Sequence, residues 1–316
     1  MSNGSTFPPP RRLRGTLLMA LMVLVVAGVG GWLVWRSSGG DGGGPPRAGQ
    51  PAPSRSTDGT DRADGAGRAD EAGGADGRTG PGGQGPTEPH GHGSLKGKTV
   101  LIDPGHNPHN RDHGRQIAQL VDIGNARKEC DTTGTSTDGG YAEASFTLDV
   151  ARRARTLLQQ QGVKVVFTQD GDRSYGPCVD ERAAIGNKAH ADAAVSIHAD
   201  GSDVGNRGFH VIMPARITAG PADTSAIVEP SRQLGERLAD RFHAITGSSR
   251  SNYIGDGTGL DVRSDLGGLN LSAVPKVFIE CGNMRDPKDA AQLTDAHWRE
   301  KAARGITEGI TDFLTR

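Results

Sequence analysis

The chain has 316 residues, with 36 basic side chains against 37 acidic ones and a formal net charge of −1. That balance excludes the global positive field on which nucleic-acid binders rely, so no nucleic-acid partner is expected; a neutral or mixed-charge polymer suits it better. Many of the 48 glycines lie in the first third, where large apolar side chains are scarce. One folded domain over residues 96–316 is therefore expected, long enough to bury a sizeable core.

Residues 1–15 carry Arg11, Arg12 and Arg14. They precede TLLMALMVLVVAGVGGWLVW, residues 16–35, an uncharged apolar run long enough to cross a bilayer as a helix. The basic cluster before the run predicts a cytoplasmic N-terminus, with the rest of the chain outside. Trp32 and Trp35 suit the outer interface. A cleaved signal peptide competes with this reading, because residues 27–31 are small. Signal cores are usually shorter, however, and here the apolar run resumes at Trp32. A single-pass anchor is the expectation, and both readings export the remainder. Residues 36–95 are rich in Gly, Pro, Asp and Arg and cannot repay the entropy of folding, which predicts a disordered tether. A Gly-rich chain of that length spans about 40 Å. His90 and His92 are incidental to it.

Residues 98–103, KTVLID, form a β-branched run that stops at Pro104-Gly105, as a strand followed by a loop would. Over residues 143–161, Phe146, Leu148, Val150, Ala151, Ala154, Leu157 and Leu158 recur at helical spacing, and Gly162 ends the pattern. A strand follows over 163–168, a helix over 181–190, and strands over 193–198 and 208–213. A helix over 230–246 has Pro230 at its start and Gly247 past its end. A strand over 275–280 precedes one broken or two short helices over 286–314. This alternation predicts a single α/β domain with a twisted, mostly parallel sheet flanked by helices. In such sheets, functional side chains gather beyond the carboxyl ends of strands. His106 after LIDPG, His198 closing AVSIH and Glu280 closing KVFIE fall there. Glu143 opens a helix and can point back at them.

Taken singly, these residues have ordinary explanations. His106 is a loop histidine, His198 can be a hydrogen-bonded core histidine, and Glu143 occupies a first turn that favours acids anyway. Glu280 is harder to dismiss, because a carboxylate ending VFI is costly to bury without a partner. Two imidazoles and one carboxylate are a usual hydrolytic zinc set with a position left for water. A second carboxylate can then serve as general base. Spacing alone does not decide which glutamate binds metal, and the HExxH metalloprotease helix is absent.

The segments VLIDPGH, YAEASFTLDVARRARTLLQQQGVKVVFTQD, ERAAIGNKAHADAAVSIHAD and VPKVFIECGN, in that order, resemble the zinc-dependent N-acetylmuramoyl-L-alanine amidases of type 3. GPCVDERAA, residues 176–184, is similar to their actinobacterial members. The resemblance covers nearly all of residues 98–314. It implies that His106, Glu143 and His198 bind Zn2+ and that Glu280 is the catalytic acid/base. It further implies hydrolysis of the amide between N-acetylmuramic acid and L-alanine of peptidoglycan, in cell-wall remodelling. The chain departs from the family in having Asn107-Pro108-His109-Asn110 after His106. Residues 111–140 also exceed the family's usual short loop, as a substrate wall or a lid over the cleft. Two other functions compete: a non-catalytic wall-binding module that keeps the fold, and a zinc peptidase cutting within the stem peptide.

An exported domain with 3 cysteines has one left over. Cys130 and Cys178 lie in polar, turn-rich sequence and are expected to pair, leaving Cys281 free and buried beside Glu280. His109 and His113 lie close enough in sequence to line the site. His190, His210, His243 and His297 fit element surfaces. Asp103 is expected to hydrogen-bond a ligand histidine, and Asn270 to face the substrate peptide.

Overall fold

The computed structural model describes residues 95–315. The apolar run at 16–35 and nearly all of the expected tether lie outside the described residues. Among the described residues, no helix is long and apolar enough to cross a membrane. Leu95 is already buried in the core, so the folded part reaches one residue into the segment read as tether.

In chain order the strands are β1 (Thr99–Pro104), β2 (Leu120–Asp122), β3 (Arg127–Glu129), β4 (Lys164–Phe167), β5 (Ala193–Asp200), β6 (His210–Pro214), β7 (Thr218–Ala219), β8 (Ala222–Asp223), β9 (Leu260–Arg263) and β10 (Lys276–Asn283). The helices are α1 (Gly114–Ile117), α2 (Glu143–Gln160), α3 (Val179–Lys188), α4 (Val228–Thr246), α5 (Gly267–Asn270), α6 (Pro287–Thr294) and α7 (Ala296–Leu314). The main sheet has six strands in the order β4-β1-β5-β10-β6-β9. β4, β1, β5 and β10 run parallel. β6 is antiparallel to β10, and β9 follows β6 in parallel. The expected strand at 208–213 therefore exists but runs the opposite way. Its connection from β5 holds no helix, and a parallel strand needs a crossover that returns the chain to the starting edge.

Strand alternation divides the sheet into two unlike faces. Val100, Ile102, Val195, Ile197, Val277 and Ile279 point to one face, where they pack against Phe146, Val150 and Leu158 of α2, Leu234, Leu238 and Phe242 of α4, and Trp298, Ile306 and Ile310 of α7. The other face holds only a small apolar cluster of Leu101, Ala191 and Ala194, with Ile185 of α3 against it. By the same alternation Asp103, Ser196, His198, Lys276, Phe278 and Glu280 fall on this thinner face. The sequence thus sends its apolar side chains to one side and its chemistry to the other.

α4 starts at Val228, which puts Pro230 third in the helix, still within the first turn where its missing N–H costs nothing. Gly247 closes it with φ 71°, a left-handed cap that an L side chain resists. Residues 111–140, read as a loop, contain α1 and the β2–β3 hairpin. Cys130 is bonded to Cys178 and Cys281 is free and buried, as expected. A cross-link of this kind contributes about 2–4 kcal/mol by restricting the unfolded chain.

Candidate metal centre

β1, β5 and α2 bring three donors to one point. β1 ends at Pro104, and after Gly105 His106 turns its backbone into the left-handed region at φ 61°. Gly105 lets the His198 ring come close to this turn, because a Cβ there would lie 2.4 Å from that ring. His106 Nε2 is 3.2 Å from Glu143 Oε1, and His198 Nδ1 is 3.0 Å from the same oxygen. The two imidazoles meet edge to face at 5.0 Å, and His198 stacks on Phe278 at 5.1 Å. Backbone N–H groups of Thr135 and Ala199 donate to Glu143 at 2.9 and 3.2 Å and fix its carboxylate. Donor atoms of His106, Glu143 and His198 lie within 4.8 Å of one another.

The electrostatics show how strongly these groups pull on each other. Burial opposes a charged imidazole at His106, but the carboxylates of Glu143 and Asp131 outweigh it and push the pKa up to about 10. Burial also opposes ionisation of Glu143, yet His106 and His198 hold it well below the usual carboxylate range. Two imidazoles sharing one carboxylate oxygen form a pocket of lone pairs that a single cation can satisfy, so the donor set fits zinc.

Glu280 lines the same cavity, which has a volume of about 380 Å³ and also includes Asp200 and Arg263 in its walls. Its Oε2 is buried with no hydrogen-bond partner. Burial, and then the charges of Glu143 and Asp200, raise its pKa well above the ordinary value. An adjoining cavity of about 420 Å³ is bounded by Lys128, Asp131, Leu266 and Phe278. His106 and His198 line both, so the three donors stand at the junction of the two. Thr132 lines both cavities as well, which makes residues 111–140 a side wall of this cleft.

The partner of His106 differs from the expectation. Asp103 makes no bond to either imidazole. It points to the thin face of the sheet, where it accepts from Thr168 (2.7 Å), Arg182 (2.7 Å), Lys276 (3.0 Å) and Ser196. Burial would raise its pKa, but Lys276 and Arg182 hold it far below the usual range. Asp131, from the 111–140 segment, lies beside His106 instead, with Oδ1 3.3 Å from Nδ1. Arg182 donates to the other oxygen of Asp131 at 2.9 Å.

Three other expectations are corrected. Asn270 is buried and donates to the backbone of Ile123 and Ser264 and to the Asn125 side chain, so it ties loops together and does not face a substrate. His210 is buried, because β6 is an interior strand that pairs it with Glu280. His109 is exposed and His113 packs on Tyr175, so neither lines the cleft. Asp131, Arg182, Lys276, Phe278 and Arg263 carried no assignment from sequence. Lys276 offered a signal, since a lysine opening the apolar run VFI has to find a buried partner.

A family model described as N-acetylmuramoyl-L-alanine amidase (Amidase_3) matches residues 100–312. The amidase Rv3717 of Mycobacterium tuberculosis is 39% identical over 222 residues, covering 70% of this chain and 88% of its own length. Crystal structures of the amidase Ami1 from Mycobacterium smegmatis and Mycobacterium abscessus match with TM-scores of 0.65 and 0.64 at 41% and 40% identity. Each covers 70% of this chain, and 99% and 100% of the solved chain respectively. These matches span the sheet, its helices and the positions of His106, Glu143, His198 and Glu280, and the chain belongs to the N-acetylmuramoyl-L-alanine amidase family.

Proposed function

We propose that the chain is a zinc-dependent N-acetylmuramoyl-L-alanine amidase that cuts peptidoglycan between the lactyl group of N-acetylmuramic acid and the L-alanine of the stem peptide. One observation carries this reading. Three donors of a hydrolytic zinc set converge at a cavity that also holds the unpartnered carboxyl oxygen of Glu280.

His106, Glu143 and His198 would hold the zinc ion. Bound there, the cation would acidify a water molecule and polarise the scissile carbonyl. Glu280 supplies the proton handling. A neighbouring cation favours its carboxylate form against the burial that keeps it protonated. The carboxylate takes a proton from the attacking water as the new C–O bond forms at the lactyl carbonyl. It then delivers that proton to the amide nitrogen as the C–N bond breaks. The products are a lactyl carboxylate on the sugar and a free amine on L-alanine. Phe278 stacks on His198 and fixes that ring's plane, and the two amides on Glu143 keep its carboxylate aimed inward.

The same reading has the catalytic domain working outside the cytoplasm, joined through residues 36–95 to an anchor at 16–35. The Cys130–Cys178 bridge supports export, since such bonds persist in oxidising compartments. Digestion of purified peptidoglycan followed by mass spectrometry tests the reaction. Free sugar strands and intact peptides starting with L-alanine are expected. Cuts inside the stem peptide would make the protein a peptidase, and no release at all would leave a wall-binding module.

A further inference from the structure

We infer that Asp131 is the positioning residue of the zinc centre, orienting His106, and that the buried chain Lys276–Asp103–Arg182 holds Asp131 in place. The inference rests on the metal-centre reading above. His106 needs such a partner, because it lies beyond the end of β1, after Gly105, with a left-handed backbone and no strand bonds to fix its ring. Its Nδ1 faces three oxygens: Asp131 Oδ1 at 3.3 Å, the Thr132 carbonyl at 3.2 Å and the Thr132 hydroxyl at 3.2 Å. An N–H at Nδ1 satisfies them and leaves the Nε2 lone pair facing the other donors. A carboxylate behind a ligand imidazole fixes tautomer and ring orientation and raises ligand basicity.

Asp131 follows the buried, disulfide-bonded Cys130, which fixes its backbone, although all of β3 is exposed and β2 is at most half-buried. Its side chain is set from behind. Arg182 binds its second oxygen, and the Arg182 guanidinium is itself fixed by Asp103 and by the carbonyls of Pro104 and Pro177. Asp103 in turn rests on Lys276, Ser196 and Thr168. Asp103, Asp131, Arg182 and Lys276 are all nearly inaccessible, and two negative charges face two positive ones. Buried ion networks often stabilise a fold no better than apolar residues of the same volume. This one leads to a single imidazole face, and orienting that imidazole is a role apolar packing could not fill.

The test measures zinc affinity of the full-length chain by competition with a chromophoric chelator, alongside the thermal midpoint of the metal-free protein. Asp131→Ala should weaken zinc binding about 10–100-fold. Asp131→Asn should weaken it less, because its amide oxygen still accepts from Nδ1. Thr311→Val, away from the site, removes a buried hydroxyl of α7 that donates to Gln161 and to the Thr307 carbonyl, and touches neither Asp131 nor the chain behind it. It should lower the midpoint and leave zinc affinity unchanged. If Asp131→Ala does not fold, the isosteric Asn variant decides. Wild-type affinity in the Asp131 variants would overturn the inference, as would equal weakening by Thr311→Val. A wild-type chain that binds no zinc would remove the metal-centre reading and this inference together. A chain that binds zinc, responds to Asp131 as stated and yet cuts no muropeptide would remove only the proposed reaction.

Discussion

Two glutamates with similar surroundings have opposite electrostatics. Glu143 is held ionised by the imidazoles of His106 and His198, whereas Glu280 is pushed toward its neutral form by burial. A ligand and a proton carrier should differ in this way. Glu280→Ala is expected to purify with near-stoichiometric zinc and to lose activity by about 10²–10⁴-fold. Glu143→Ala is expected to lose the metal, with partial rescue by excess zinc. Metal analysis beside a turnover assay separates the two, and reversed metal contents would swap the roles. Glu280→Gln adds a stability test. A folded pKa above the ordinary 4.5 means that ionisation costs the folded state as pH rises past that value. Metal-free Glu280→Gln should therefore be more stable than wild type at neutral pH, and the difference should vanish below pH 4.5. His106, His198 and Glu280 were legible because each follows an apolar run of sequence, and Glu143 because it opens a strongly periodic helix. Asp131 was not, because nothing local marks which carboxylate of a polar segment will fold back onto an imidazole.

Elements with a strong apolar period were readable to within a few residues. α2 and α4 concentrate their buried side chains on one side, and β1, β5 and β10 are nearly continuous buried runs, the two patterns that periodicity and run length detect. β9, with the sequence LDVR, was missed because it is a short edge strand with no residue fully buried. The reversal of β6 was missed because strand direction is set by the connection, not by the strand. Close helix contacts also escaped notice. α7 lies so near α4 that a Cβ at Gly309 would sit 2.6 Å from the Cα of Leu238, and one at Gly305 would sit 2.9 Å from that of Phe242. Gly309→Val should force these helices apart and cost about 1–3 kcal/mol, as overpacking does. Denaturant unfolding would read this as a lower midpoint. An unchanged midpoint would mean that α7 can shift without loss.

For the whole molecule, the matched region occupies residues 100–312, and the N-terminal part has to be argued on composition. A basic flank followed by an uncharged apolar run is expected to keep the mature chain in the membrane with its original N-terminal peptide. Cell fractionation with N-terminal peptide mapping checks this; a secreted product starting near Trp32 or beyond would replace the anchor with a cleaved signal. The chain's near-neutral net charge of −1 fits a protein that approaches a mixed-charge wall without long-range steering.

The disulfide beside the site has a consequence in time. Cys130 immediately precedes Asp131, and Cys178 begins the turn of α3 that carries Arg182. The bond therefore clamps together the two segments that meet behind His106. On the export reading it closes only after the chain leaves the reducing cytoplasm. A newly made chain would then carry an unfinished zinc site while still inside the cell, and would become a competent wall hydrolase only on arrival at its substrate. Zinc affinity measured with and without a thiol reductant reads that order of events. The reduced chain should bind more weakly, and equal affinities would mean that the site matures before the bond forms.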